Sequence, residues 1–166
     1  GIISGTGSLT KNGSSTLTLS DINTYTGDTA INAGTLLVSA TGLLSGGSYS
    51  GNIANSGVFL FASNSSQTLS GIISGSGSLT KNGTGTLSLS NSNSYSGATT
   101  INTGTLEITA SGLLDDGDYA GNIVNKGAFV FGSNSNQILS GVISSTGSLA
   151  KNGAGTLTLS GNNTYN

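Results

Sequence analysis

Gly7-Ser8-Leu9-Thr10-Lys11-Asn12-Gly13-Ser14-Ser15-Thr16-Leu17-Thr18-Leu19-Ser20 is the stretch on which the fold turns. In Thr16–Ser20 every second residue is apolar, the period of a half-buried β-strand and not the 3.6 of a helix. Asn12-Gly13 in front of it is turn chemistry, since both residues reach positive φ cheaply. The same stretch returns at 77–90 and at 147–160, so the strand and its turn belong to a repeat.

The repeat period is 70. Gly1-Ile2-Ile3-Ser4-Gly5 comes back as Gly71-Ile72-Ile73-Ser74-Gly75 and as Gly141-Val142-Ile143-Ser144-Ser145. Residues 1–70 and 71–140 agree at 44 of 70 positions, and 141–166 open a third copy. A unit of 70 is long for one supersecondary element, and it divides further. Bulky residues followed by a small residue and then Gly or Ser stand at Ile3, Tyr25, Tyr49, Ile73, Tyr95, Tyr119 and Ile143, at steps of 22, 24 and 24, and Tyr165 falls at the next step. Each passage continues through a short strand, a Gly turn and a strand with two alternate apolar residues. The whole chain then reads as one all-β domain, a parallel β-solenoid with about seven coils of 22–24 residues. At ~4.8 Å per coil it rises about 34 Å. This reading stacks Leu17, Leu36, Phe59, Leu87, Leu106, Phe129 and Leu157 in one internal row. Leu19, Val38, Phe61, Leu89, Ile108, Phe131 and Leu159 form its neighbour, with the Ile/Tyr series along a corner. A propeller or sandwich is the competing all-β arrangement, and the unequal spacing and short strands count against it.

Composition narrows the chemistry. Of 166 residues, 98 are Gly, Ser, Thr or Asn, which raises the question of disorder. Leu, Ile, Val and Phe number 40 of 166, net charge is only −2, and the apolar residues are regularly spaced, so the chain folds. With no His and no Cys there is no ordinary zinc, haem or iron–sulfur ligand set, and no Cys nucleophile or Ser–His–Asp triad. Four Lys and no Arg do not make the basic footprint that nucleic acid or an anionic membrane requires.

The run 7–13, followed by Asn23-Thr24-Tyr25-Thr26-Gly27 and Thr29-Ala30-Ile31-Asn32-Ala33-Gly34-Thr35-Leu36, closely resembles the autotransporter-associated β-strand repeat, also called the passenger-associated transport repeat, of type V secretion passengers. It recurs from 77 to Leu106 and begins again at Gly147, covering a little under half of each copy. Ser15, where Gly85 and Gly155 stand, and Asp28-Thr29-Ala30 are departures that leave the fold intact. The resemblance implies a right-handed β-helix in a secreted or surface-exposed passenger of a Gram-negative cell, exported unfolded and folded outside. Absence of Cys suits such a route, because no disulfide can lock the chain before it crosses.

Several residues are weighed as sites. Asp115-Asp116-Gly117-Asp118 is the one acidic cluster, but its counterpart in the first copy is Ser45-Gly46-Gly47-Ser48, so a solvated loop is expected rather than a calcium site. Lys11, Lys81 and Lys151 recur at the period of 70 and are expected as solvated turn residues, with a sparse cationic stripe as the other reading. Phe59, Phe61, Phe129 and Phe131 are expected inside. Asn32, Asn55, Asn102 and Asn125 are candidates for an amide ladder along the solenoid. Thr16-Leu17-Thr18 suggests an ice-binding array, which Leu37, Val58 and Leu60 interrupt. No catalytic, cofactor-binding or metal-ligating residue is assigned and no cofactor is expected, since a polysaccharide lyase or hydrolase on this fold needs carboxylates or basic groups gathered across coils.

The expected function is therefore a non-enzymatic stalk of an extracellular passenger or adhesin that aids its own export by vectorial folding. The alternatives are an adhesive module gripping a host glycan or protein through loops at 40–50, 62–72, 110–120 and 132–142, or a building block of an extracellular filament. Expected partners are neighbouring repeats of a longer chain and other ends of the same rod, with no nucleic acid and no membrane insertion.

Overall fold

The computed structural model describes residues 1–165 and is built from 23 short strands and two short 3-10 turns. Every strand pairing is parallel, and the strands form three ladders that run the length of the rod.

The second face is one eight-stranded sheet: Thr16–Leu19, Thr35–Ala40, Val58–Ser63, Ser78–Lys81, Thr99–Ile101, Ile123–Asn125, Ile143–Ser145 and Thr164–Tyr165. The first face begins with Leu9–Lys11 and climbs through Thr29–Ile31, Ile53–Asn55, Ile73–Gly75 and Ser92–Tyr95 to Leu113–Leu114. It continues through Asp118–Tyr119, Gln137–Leu139 and Leu157–Leu159. The third carries Ser48–Tyr49, Gln67–Leu69, Thr86–Leu89, Thr105–Ile108, Ala128–Phe131 and Ser148–Lys151. Below Ser48–Tyr49 this face is extended by the Ile22–Leu43 bridge and by the amides of Thr24 and Thr26 donating to the carbonyls of Ile3 and Gly5 at 2.9 and 3.0 Å. The chain visits the three faces in rotation, so the eight strands of the second face count eight coils.

That corrects the coil count and the coil length. There are eight coils, not seven, and they are unequal: the shortest steps bring Thr35 over Thr16 and Thr105 over Thr86, and the longest bring Ile53 over Thr29 and Ile123 over Thr99. The Ile/Tyr landmarks misled because they do not stay on one face. Tyr25 and Tyr49 stack, with ring centroids 5.5 Å apart, but the ladder partner of Tyr49 is Leu69. Ile73 belongs to the next face, where it pairs with Ile53. The step from 49 to 73 is one coil plus the corner that follows it.

The same arithmetic relates the copies. Each copy supplies ten face segments and a coil uses three, so each copy ends one face further round than it began. Thr16–Leu19 lies on the second face, whereas its equivalent Thr86–Leu89 lies on the third. Successive copies are thus related by a rotation of one third of a turn and a rise of about 16 Å, three and a third coils at ~4.8 Å. The internal rows follow. Leu17, Leu36 and Phe59 stack as expected, but the row continues with Leu79, Thr99, Ile123 and Ile143. Leu87, Leu106 and Phe129 stack on the third face between Gln67 and Leu149. Leu157 pairs with Gln137 on the first. The second expected row is divided in the same way, with Phe61 followed by Lys81 and Ile101.

The core is one continuous cluster that includes all four Phe and Tyr25, Tyr49, Tyr95 and Tyr119, each at 1 % exposure or less. Alternation sends their neighbours outward. Corners are tight because Gly stacks on Gly. At Gly97 a Cβ would collide with the carbonyl oxygen of Gly77, and at Gly121 it would meet the Tyr119 ring and then the carbonyl oxygen of Gly97. Only a residue without a side chain lets one coil descend onto the next there.

Candidate functional site

Among the described residues twelve polar side chains are buried, and each recurs one copy further on: Asn23 and Asn93, Thr29 and Thr99, Asn55 and Asn125, Ser63 and Ser133, Gln67 and Gln137, Lys11 and Lys81. They are the chemistry of this rod.

The tyrosine corner is a chain of hydroxyls. Tyr25 Oη lies 2.8 Å from Thr29 Oγ1, which lies 2.8 Å from Tyr49 Oη, which donates to the carbonyl of Gly27 at 2.5 Å. Each hydroxyl owns one proton, so the last bond fixes the rest: Thr29 donates to Tyr49 and Tyr25 donates to Thr29. Tyr95, Thr99, Tyr119 and the carbonyl of Gly97 repeat the arrangement. Burial pushes the phenols up, that of Tyr119 to about 12. The sequence spacing Asn-x-Tyr-x-Gly-x-Thr at 23–29 and 93–99 marks this site, and nothing in the spacing alone gives Thr29 or Thr99 the bridging role.

The lysines overturn the expectation of solvated turns. Lys11 is 6 % exposed and Lys81 fully buried. Lys81 occupies an inward strand position between Phe61 and Ile101, its Nζ 5.8 Å from the centre of the Phe61 ring. The ammonium bends into the corner and donates to the carbonyls of Asn82 and Gly83 at 2.7 and 2.8 Å, and of Thr103 in the next coil at 3.4 Å. Lys11 does the same with Asn12, Gly13 and Ala33. Burial lowers the Lys81 pKa to about 8. Lys151 stands above Phe131 on the outermost strand of its sheet and is exposed. The three occupy different faces, so they form no cationic stripe. A buried lysine without a carboxylate partner here is a cap on carbonyls that the turn leaves free.

Amides do the same elsewhere. Asn23 Oδ1 accepts from the amide of Ile3, Asn93 from that of Ile73 and Asn163 from that of Ile143, each near 3 Å. Gln67 and Gln137 pair by both side-chain atoms with the backbone of Leu44 and Leu114. The expected Asn ladder exists only in part. Asn32 and Asn102 donate to Asn12 and Asn82, whereas Asn55 and Asn125 turn to the backbone carbonyls of Ser78 and Ser148.

On the outside, the loops at 45–47 and 115–117 are 3-10 turns with the same backbone, including positive φ at Ser45 and Gly46 and at Asp115 and Asp116. The acidic side chains do not converge: Asp116 accepts from Ser92 Oγ in the coil below and Asp118 from Ser140 Oγ in the coil above, both at 2.9 Å. Among the described residues no group of three His, Cys, Asp or Glu is placed to hold a metal ion. A hollow of about 240 Å³ lies on the outer side of the first face, between Thr10, Asp28, Ala30, Asn52 and Ala54. Its one carboxylate, Asp28, already accepts the amide of Asn52 at 2.8 Å. The outward row Thr18, Leu37, Leu60, Thr80, Thr100, Val124 and Ser144 mixes hydroxyl and apolar residues. No helix of the described residues is long and apolar enough to cross a membrane.

Comparison with known proteins agrees with this picture. Residues 9–38, 79–108 and 149–166 match the model of the passenger-associated-transport-repeat. The chain is similar to the adhesin BmaC autotransporter of Brucella suis biovar 1, with 42 % identity over 170 residues. That match covers 91 % of this chain and 5 % of the adhesin, so the chain spans a small part of its relative's length. No solved structure matches.

Proposed function

From matches to the passenger-associated transport repeat at 9–38, 79–108 and, in part, 149–166, we propose that this chain is a non-enzymatic stalk segment of an autotransporter-type passenger displayed on or secreted from a Gram-negative cell. The observation that supports the reading most is where binding energy has been placed. All four Phe, four of the five Tyr, the buried lysines and the buried amides are spent inside the rod, and the outer faces carry small hydroxyl residues interrupted by scattered aliphatic ones such as Leu37, Leu60 and Ile72. Hydrogen bonds between coils join each coil to its immediate neighbours above and below, so folding proceeds by adding coils to an existing edge. A chain emerging unfolded at a cell surface gains free energy with every coil it adds outside, which favours its net outward movement.

Export kinetics test this. In a passenger containing residues 1–166, Gly97→Ala, which blocks the stacking of one coil, is expected to slow the appearance of the passenger at the surface without changing its synthesis. Unchanged export of a passenger whose segment is shown to be misfolded would refute the vectorial role. A second reading is favoured by the 3-10 loops, which keep one backbone while exchanging Ser-Gly-Gly-Ser for Asp-Asp-Gly-Asp. If the loops grip a glycan or protein, saturable binding on a glycan array or to cells will be lost when residues 110–120 are replaced by 40–50.

A further inference from the structure

The hollow on the outer side of the first face differs between the copies in a coordinated way. Its floor is Ala30 and Ala54, ladder partners on adjacent coils, and its rim is Asp28 and Asn52. One copy further on, the equivalent positions are Thr100 and Val124, again ladder partners, with Ala98 and Asn122 beside them. Two methyl side chains have become branched ones that project into the same space, and the carboxylate has gone.

The rim of the hollow is held in place. Asp28 Oδ1 accepts the Asn52 amide at 2.8 Å, and Asn52 Oδ1 accepts the Ile72 amide at 2.9 Å. Each side chain is thus fixed by the backbone of the coil above, and its other end is left over. Among the described residues Asp28 Oδ2 and Asn52 Nδ2 have no protein partner. Asn122 repeats the bond, to the Val142 amide at 2.9 Å, without a carboxylate next to it.

An acceptor and a donor therefore stand one coil apart, ~4.8 Å, beside an alanine floor. A cationic ligand would meet the Asn52 amide hydrogens, and an anionic one would meet the Asp28 carboxylate. Neighbouring hydroxyls suit both, since one donates to the carboxylate while the next accepts from the amide. The C–H face of a sugar ring supplies the apolar side that the alanines match. The volume, about 240 Å³, lies below the ~300–1,000 Å³ of sites for drug-sized ligands and admits one ring. A rim already fixed by hydrogen bonds loses little freedom on binding.

We propose that Asp28, Ala30, Asn52 and Ala54 form a subsite for one neutral hexopyranose, the terminal residue of a glycan, and that Ala98, Thr100 and Val124 close the equivalent place in the second copy. The subsite uses no residue of the loops at 45–47 and 115–117, so it stands apart from the loop reading above.

Amide NMR spectra of the intact chain, titrated with the methyl glycosides of glucose, galactose and mannose, test this. At millimolar concentration at least one of the three should shift the amides of Asn52 and Ile72 and leave those of Asn122 and Val142 in place. Asp28→Ala should weaken that binding at least about tenfold, the effect of losing one hydrogen bond to a charged group. Ala30→Thr with Ala54→Val introduces residues that the chain already carries at 100 and 124, and should abolish the response while the rest of the spectrum stays as in the parent. The reverse exchange, Ala98→Asp with Thr100→Ala and Val124→Ala, should bring the Asn122 and Val142 amides into the response. Absence of shifts with all three glycosides would overturn the proposal, as would shifts that survive both Asp28→Ala and the floor exchange. A response to N-acetylglutamine amide but to no glycoside would assign the hollow to a side-chain amide of a protein partner and overturn it equally.

Discussion

Thr29→Val isolates the hydroxyl chain of the tyrosine corner. Valine keeps the shape and removes one oxygen that sits between Tyr25 and Tyr49, 2.8 Å from each. Tyr49 keeps its bond to the carbonyl of Gly27, so it loses only the proton it accepted from Thr29. Tyr25, at 1 % exposure, loses its one protein partner and becomes a buried hydroxyl without an acceptor. An orphaned buried group costs about 1–3 kcal/mol and the second lost bond ~1 kcal/mol, so the variant should lose about 2–4 kcal/mol. Equilibrium unfolding in urea, followed by far-ultraviolet circular dichroism, measures it. The decisive arm is rescue: Tyr25→Phe in the Thr29→Val background removes the orphan and should return about 1–3 kcal/mol. Thr99→Val repeats the experiment one copy on and should add to Thr29→Val within ~0.5 kcal/mol, since the two corners share no partner. A loss below ~0.5 kcal/mol, or a double variant no better than Thr29→Val, would refute the hydroxyl chain as a source of stability.

The remaining expectations concern charge, access and packing. Lys81 titrates at about 8 when folded against 10.5 when free, so the unfolded chain binds more protons between those values and stability should rise with pH across that window. The buried phenols, raised from 10.0, bind more protons in the folded chain above pH 10, so stability should fall there. Denaturation midpoints across pH 7–12 should peak near pH ~10, and Lys81→Met should remove the rising limb. Limited digestion with trypsin should cut after the exposed Lys126 and Lys151 while leaving Lys11 and Lys81 intact; equal cleavage after Lys81 would contradict its burial. Gly97→Ala, whose Cβ would meet the carbonyl of Gly77, should cost about 1–3 kcal/mol in the same urea assay, and a neutral result would mean that the corner yields easily.

Alternation and turn chemistry made the solenoid legible: Thr16-Leu17-Thr18-Leu19 is a strand with Leu19 inside, and Leu17–Leu36–Phe59 stack as the spacing predicts. What the spacing did not reveal is that Ile73 turns a corner that Tyr49 has not yet reached. Both are bulky residues followed by a small one, and the difference lies in ladder partners that belong to the neighbouring coil. The lysines mislead for a related reason. A charge in a turn sequence signals solvent, and only the parity of the strand Ser78–Lys81, with Leu79 and Lys81 on one side, points the other way. Asn-x-Tyr-x-Gly-x-Thr was visible as a repeat, but the bridging role of Thr29 depends on Tyr49 arriving from the next coil. The outer surface carries little signature because small hydroxyl residues satisfy themselves with water whatever they border.

The one-third turn between copies is most directly tested by cross-linking, since the chain has no cysteine of its own. Leu60 faces Thr80 across adjacent strands of the second face, whereas Ser88 pairs with Thr68 on the third. Ladder partners one coil apart, at ~4.8 Å, lie within the Cα separation a disulfide spans, about 4.4–6.8 Å. Under mild oxidation Leu60→Cys with Thr80→Cys should close a disulfide in the folded chain, as should Thr68→Cys with Ser88→Cys. Leu60→Cys with Ser88→Cys should stay reduced by thiol counting. A bridge between positions 60 and 88, with none between 60 and 80, would mean that equivalent strands stack directly and that the copies do not step from face to face.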